Sequence, residues 1–111
     1  MKVKEICEKL GLTIYVEGNM DQDVKKGVVG DLLSFIMRTA PDGAVWVTIQ
    51  NHVNVAAVAV LKDISFIILA SGREPLQELI DSCKKENITL ASSELDAFKL
   101  CGKLYELGLK E

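Results

Sequence analysis

Several kinds of residue are scarce in this sequence, and each scarcity excludes a class of protein. Aromatic residues make up only 5% of the 111 residues, and lysine plus arginine number 13 against 16 aspartates and glutamates. Nucleic-acid binding needs a surplus of cationic side chains, preferably interleaved with aromatic rings that stack on bases. The composition therefore argues against a nucleic-acid partner.

Long apolar segments are also missing. The longest apolar run, 53–61, is interrupted by Asn54 and has about half the length that spans a bilayer. The first residues, MKVKE, lead directly into charged amphipathic sequence rather than into the apolar core of a secretory signal. We therefore expect a cytoplasmic protein without a membrane interaction.

Cysteine and histidine are too few and too scattered for a metal site. Cys7, Cys83 and Cys101 lie far apart, no Cys-x-x-Cys occurs, and the single histidine, His52, is close to none of them in sequence. This spacing matches no zinc or iron–sulfur site, so neither a metal nor another cofactor is expected. Each cysteine falls on the apolar stripe of a predicted helix, which favours a small buried hydrophobe over a reactive thiol. The alternative, a partner subunit of a redox complex, stays open.

The residues that are present favour one compact fold. Hydrophobic residues make up 49% of the chain and charged residues 26%, a balance typical of globular proteins. A chain of 111 residues is short for two domains, so residues 1–111 are expected to form a single domain.

The spacing of apolar residues predicts alternating helices and strands. Helices are predicted at 3–10, 32–39 and 53–61, after Pro75 and after Ser93; strands are predicted at 12–16, near 24–29, and at 44–49, 65–70 and 88–91. The near-continuous apolar run at 65–70 is typical of a strand covered on both faces. The pattern predicts an α/β fold, a three-layer α/β/α sandwich with about five strands, mostly parallel.

Local signals set the expected ends of the helices. Gly11 stands where a left-handed residue would end the first helix. Asp31 is expected to cap the helix at 32–39, Pro75 to occupy the first helical position of the fourth helix, and Ser93 with Asp96 to form a capping box.

Two helices have an expected burial pattern. The segment 53–61 is apolar nearly all round and is expected to be buried. The last helix is expected to pack one stripe against the sheet, formed by Ala97, Phe98, Cys101, Leu104 and Tyr105.

Polar residues follow three successive predicted strands. Ligands in open α/β sheets bind beyond the carboxyl ends of the strands, where helix N-termini attract anions. This rule selects Thr48, Gln50, His52, Asn54, Ser71, Gly72 and Ser92 as a ligand-binding set. A nucleotide-like or other small anionic metabolite is the expected ligand. The alternative is that these residues only cap helices and form turns.

No catalytic motif is present. The sequence contains no G-x-S-x-G, no H-E-x-x-H and no phosphate-binding G-x-x-x-x-G-K-[ST], so no catalytic residue is assigned. A small enzyme that uses His52 as general acid or base, with Ser34 or Ser71 nearby, is the alternative. Asp21, Asp23 and Asp31 are better explained by a solvated turn and a cap than by a metal site.

Two stretches resemble a known family. Residues 21–34 read DQDVKKGVVGDLLS and residues 45–54 read VWVTIQNHVN. With the order of elements, they are similar to the DRTGG domain family over nearly the whole chain. The residues that match the family pattern are Asp21, Gly27, Asp31, Leu32, Leu33 and Ser34. Gln22, Lys25 and Lys26 stand where the family has the arginine, threonine and first glycine of its name motif.

The resemblance implies a fold and a role. It implies a three-layer fold like that of the N-terminal domain of HPr kinase/phosphorylase. Similar domains accompany CBS domains in regulated pyrophosphatases and precede some phosphotransacetylases. The resemblance therefore implies a noncatalytic regulatory or interaction module with an enzyme partner. We also expect a homodimer, paired through one helix face or through residues 27–31.

Overall fold

The computed structural model describes all residues of the chain, 1–111. Five helices and five strands alternate along it, except that two strands follow one another after the first helix. The elements are α1 (Val3–Leu10), β1 (Thr13–Val16), β2 (Gly27–Val29), α2 (Leu33–Thr39), β3 (Val45–Thr48), α3 (Asn54–Leu61), β4 (Phe66–Leu69), α4 (Gln77–Lys85), β5 (Thr89–Ser92) and α5 (Ala97–Glu106).

The five strands form one mixed sheet in the order β1-β5-β4-β3-β2. The pairings β2 with β3, β3 with β4 and β4 with β5 are parallel, and β1 pairs antiparallel with β5. The carboxyl ends of four strands therefore lie along one side of the sheet, which we call the carboxyl edge. The expected sheet of about five mostly parallel strands is confirmed.

Helices cover both faces of the sheet. One apolar core includes Trp46, Leu69 and Leu90 and joins the sheet to α2, α3 and α4. The other includes Val47 and Ile68 and joins the opposite face to α1 and α5. Because successive side chains of a strand point to opposite faces, β3, β4 and β5 are buried throughout. The expected three-layer α/β/α sandwich is therefore confirmed.

The helix ends follow the sequence signals only in part. Gly11 ends α1 with a φ of 60°, as expected. The residue before α2 is Leu32, and no side chain caps that helix, so the prediction of Asp31 as its cap was wrong. Pro75 lies before α4, which begins at Gln77 and not at the proline. The last helix is capped by Asp96, whose carboxylate accepts a hydrogen bond from the Lys99 amide, and not by Ser93.

Two predictions of burial were also partly wrong. In α3, Val60 is 49% and Leu61 69% exposed, because only one side of this apolar helix meets the sheet and its neighbours. In α5 the buried residues are Leu100 and Leu104, whereas Phe98 is 88% exposed. Tyr105 is also exposed, so the expected stripe mixes residues of the inner and the outer face.

The second predicted strand is shorter than expected. Only Gly27–Val29 pairs with β3, whereas Val24 is buried and its amide donates to the carbonyl of Met1. The segment before β2 is therefore held by the N-terminal residues rather than by the sheet.

Candidate ligand site at the carboxyl edge

The strand register brings the ends of β3, β4 and β5 side by side. Thr48 aligns with Leu69, and Leu69 aligns with Ser92. The loop after β3 holds Gln50 and His52, Asn54 begins α3, and the loop after β4 holds Ser71 and Gly72. The structure places this set along one edge of the sheet, although Ser92 belongs to β5 instead of following it.

Asp31 links the loop after β2 to the loop after β3. Its Oδ1 accepts hydrogen bonds from the Thr48 hydroxyl and from the Ile49 amide, each at 2.9 Å. Its carbonyl accepts a hydrogen bond from Gln50 Nε2 at 3.0 Å, and the Gln50 amide donates to Thr48 Oγ1 at 3.1 Å. Thr48 and Gln50 are thus engaged in holding the loops together. This role was not expected from the sequence, because aspartate is also a residue type that commonly caps helices.

The other loops of the carboxyl edge are joined in the same way. Asn51 Nδ2 donates to the carbonyl of Glu74 at 2.8 Å. The amides of Ser71 and Gly72 donate to the carbonyls of Leu95 and Ser93, each at 2.8 Å. These bonds join the loop after β3 to the loop after β4, and the loop after β4 to the loop after β5. The edge is therefore a continuous hydrogen-bonded rim.

Three of the predicted site residues present free polar groups. His52, Asn54 and Ser71 are exposed, and their side chains make no hydrogen bond within the chain. Thr48 is 1% exposed and Ser92 is 7% exposed, so both belong to the interior of the edge. A ligand at this edge would therefore meet His52, Asn54 and Ser71, with Gln50 half-buried beside them.

The electrostatics of the edge are mixed. Gly72 has a φ of 64°, and a Cβ at this position would lie 2.8 Å from the Glu94 carboxylate. A negative charge therefore covers the turn at Gly72, while Arg73 next to it is exposed. At the start of α3, the amide of Val55 already bonds to the His52 carbonyl at 3.1 Å. Fewer free helix amides face this edge than the sequence suggested.

The residues that match the family pattern are divided between two parts of the molecule. Asp21 lies by α1, where its carboxylate is 3.0 Å from Lys4 Nζ. This ion pair lowers the pKa of Asp21. Gly27 opens β2, whereas Asp31 and the exposed Ser34 lie at or near the carboxyl edge. The motif is thus not one constellation in space, and Asp21 stands apart from the ligand set.

The cysteines are free thiols in apolar surroundings. Cys7 and Cys83 are buried and Cys101 is half-buried, and none forms a disulfide. Burial raises the pKa of Cys7 to about 11 and that of Cys83 to about 12. Desolvation also raises the pKa of Cys101. Thiols that resist ionisation in this way are poor nucleophiles. No group of three potential metal ligands comes together in the structure.

A groove lies away from the carboxyl edge, on the outer side of α5. It has a volume of about 710 Å³ and is formed by the outer face of α5 and the edge of the sheet. We call this the β2–α5 surface; it consists of Val29, Phe98, Cys101, Gly102 and Tyr105. This groove was not expected from the sequence, because Phe98 and Tyr105 fit an apolar stripe and were predicted to belong to the core.

Comparison with known proteins gives a likeness in fold. No protein-family model and no curated protein sequence matches this chain. A crystal structure of the CBS and DRTGG domains of the regulatory region of Clostridium perfringens pyrophosphatase is similar, with a TM-score of 0.72 and 19% sequence identity. That structure is complexed with the activator diadenosine tetraphosphate. The match covers 91% of this chain and 44% of that one.

The likeness in fold extends over 91% of this chain. No helix has both the length and the apolar character needed to cross a membrane. The resemblance seen in residues 21–34 and 45–54 is therefore confirmed at the level of structure: the chain has a DRTGG-like fold.

Proposed function

We propose that residues 1–111 form a single noncatalytic regulatory module that binds a nucleotide-like or other small anionic ligand at the carboxyl edge, and that self-associates. The observation that carries this proposal is the likeness in fold to a regulatory region complexed with a nucleotide activator. The free side chains of His52, Asn54 and Ser71 on a hydrogen-bonded rim support the location.

The chemistry of the rim fits recognition rather than turnover. Imidazole, amide and hydroxyl groups donate and accept hydrogen bonds, so they can read the edges of a base or hold a phosphate oxygen. Neither Ser34 nor Ser71 forms a hydrogen bond with His52, so no nucleophile is paired with a base. The inert thiols likewise give no support to a redox role. We therefore favour a binding module over an enzyme or a redox subunit.

The module would act on an enzyme, either as a partner or as a neighbouring domain of a longer chain. The three free cysteines fit a reducing compartment, so we place its action in the cytoplasm. Membrane and nucleic-acid partners are not part of the proposal.

A thermal-shift screen tests the ligand proposal. The probes are diadenosine tetraphosphate, ATP, adenosine and inorganic phosphate. A ligand that binds only the folded chain adds about 2.7 kcal/mol to the unfolding free energy at a hundred times its dissociation constant. In a domain of this size, that addition raises Tm by about 10 °C or more. Absence of any shift with all four probes would contradict the ligand proposal.

Substitution of His52 locates the site. We expect His52→Ala to weaken the response to the best probe while the protein stays folded. Ser82→Ala, in α4 and outside the rim, is the matched control and should leave the response unchanged. A full ligand response in folded His52→Ala protein would remove His52 from the site.

A further inference from the structure

The outer edge of β2 carries unpaired backbone groups. β2 is the last strand of the sheet, so only one of its sides is paired. The Lys26 carbonyl accepts from Val45 N at 2.9 Å, and the Gly30 amide donates to the Val47 carbonyl at 3.1 Å. Since alternate residues of a strand point to opposite sides, the amide and carbonyl of Val29 point away from the sheet. Free edges of this kind invite pairing with another strand.

The neighbouring position on this edge is already occupied. The Gly27 amide donates to the Glu111 carbonyl at 3.3 Å, and the Glu111 amide donates to the Lys25 carbonyl at 3.3 Å. Val29 is thus the one residue of β2 whose amide and carbonyl are both free. A residue with both groups free can pair with its own copy about a two-fold axis, through two reciprocal hydrogen bonds. The occupied position at Gly27 fixes the register of such a pair at Val29.

The middle of α5 lies beside Val29. The groove of the β2–α5 surface is lined by both Val29 and Gly102. A glycine within a helix costs about 1 kcal/mol relative to alanine. Packing within the chain does not require it, because a Cβ on Gly102 would meet nothing within 4 Å. Phe98 and Tyr105 flank Gly102 and are 88% and 58% exposed.

On the basis of the self-association proposed above, we propose that a second copy of this chain docks on the β2–α5 surface. One two-fold axis passes by Val29 and Gly102. The two β2 strands pair antiparallel at Val29 and extend the sheet, while the two α5 helices cross near Gly102, with the aromatic side chains on either side.

The composition of the surface favours a second copy over an unrelated partner. Both elements at its centre are self-complementary, since Val29 offers a donor and an acceptor and Gly102 lets a backbone approach closely. Two antiparallel copies of α5 bring Glu106, at the end of one helix, towards Lys99, in the first turn of the other. Opposite charges at the periphery of an interface guide the two partners into register.

Sedimentation analysis of three variants tests this proposal. Phe98→Glu and Gly102→Glu place a charge in the surface, and we expect each to raise the dimer dissociation constant about 30-fold or more, as for central interface residues. A Cβ at Gly102 meets no atom within 4 Å, and glutamate is a better helix former than glycine, so the Gly102→Glu monomer should keep its fold by circular dichroism. Leu61→Glu, on the exposed side of α3, is the control and should remain dimeric.

Cross-linking at position 103 gives an independent readout. Lys103 is exposed and follows Gly102 in α5, so a short bismaleimide should join two copies of the Lys103→Cys variant. The wild-type chain is the control and should give far less product, because its three thiols resist ionisation.

The possible outcomes test the docking surface separately from self-association and from ligand binding. If the wild type is a dimer and both Phe98→Glu and Gly102→Glu remain dimeric, the proposed docking surface is wrong, but the protein still self-associates. Loss of the dimer in Leu61→Glu also overturns it, because it moves the interface to α3. A wild-type monomer overturns both proposals, whereas the nucleotide response is measured separately and judges the ligand site alone.

Discussion

The carboxylate of Asp31 accepts hydrogen bonds from two consecutive residues of the neighbouring strand end, the hydroxyl of Thr48 and the amide of Ile49. A single side chain thereby joins the end of β2 to the end of β3. The Thr48 hydroxyl is buried, so it has no water to replace a lost partner.

Removal of the Asp31 carboxylate should destabilise the protein more than its exposed position suggests. We expect Asp31→Ala to lower the free energy of unfolding by about 1–3 kcal/mol, because it leaves a buried hydroxyl and an amide unpaired. Asp31→Asn should recover part of this loss, since its amide oxygen can still accept. Urea denaturation measures both, with Asp42→Ala in an exposed turn as the control. A loss for Asp31→Ala no greater than that of the control would contradict this role.

Substitution by alanine at two glycines should change the stability of the chain in opposite directions. A Cβ on Gly18 would lie 2.6 Å from the Asn87 carbonyl oxygen and 2.8 Å from the Thr89 amide nitrogen, both of them backbone atoms. Gly18→Ala should therefore destabilise the chain by about 2 kcal/mol or more, as strain in packed backbone does. Gly102→Ala should raise the stability of the monomer by about 0.5–1 kcal/mol. Thermal denaturation at a concentration where the chain is monomeric checks both signs; equal effects would refute the contrast.

The sequence predicted the layers well because each rests on a repeated signal. Apolar runs at 44–49 and 65–70 correspond to β3 and β4, which are buried on both faces. The spacing at 3–10 corresponds to α1, within the same bounds. Such signals involve many residues, so a single exception does not change the prediction.

Predictions that rested on single residues were less secure. Asp31, Pro75 and Ser93 are all residue types that are common at the start of a helix, yet each lies in a loop. Asp31 instead bonds to Thr48, which is 17 positions away in the sequence. A capping residue and a tertiary acceptor have the same chemistry, so sequence alone does not separate them. For the same reason, the hydrogen bonds that Thr48 and Gln50 make within the carboxyl edge were not expected from the sequence.

The apolar positions of α5 show a different limit. Phe98 and Leu104 fit one helical stripe by spacing, but Leu104 is buried and Phe98 is almost fully exposed. Spacing tells which residues share a face, whereas exposure depends on how far the sheet extends beneath the helix. At the edge strand β2 the sheet ends, and part of the apolar surface of α5 stays uncovered.

The buried thiols should make stability fall at alkaline pH. Burial raises the pKa of Cys83 from 9.0 to about 12, so the folded chain keeps a proton that the unfolded chain loses. This contribution to stability is fully present below pH 9.0 and is lost as the pH rises towards about 12. Within that window the loss is at most about 1.4 kcal/mol per pH unit for one thiol.

Substitution isolates the effect of Cys83 from other groups that titrate in the same range. Cys83→Ala should have a flatter dependence of unfolding free energy on pH above 9.0, although its stability at neutral pH is lower. Cys101→Ser, at a half-buried position, should change the slope less. Parallel curves for the wild type and Cys83→Ala would show that this thiol does not couple to folding.

The acidic side chain of Glu94 at the proposed ligand edge should weaken the binding of anions. The Glu94 carboxylate covers the turn at Gly72, and no cation within ion-pair distance neutralises it. An anionic ligand held by His52, Asn54 and Ser71 would feel this charge across a partly solvated surface. We therefore expect Glu94→Gln to tighten the binding of the best anionic probe about two- to fivefold at low salt, with less effect at high salt. Titration calorimetry at two ionic strengths measures the change, and Glu86→Gln, beyond the end of α4, is a control of equal charge. Equal binding in the wild type and Glu94→Gln, for a probe that responds to His52→Ala, would place the anionic part of the ligand away from the turn at Gly72.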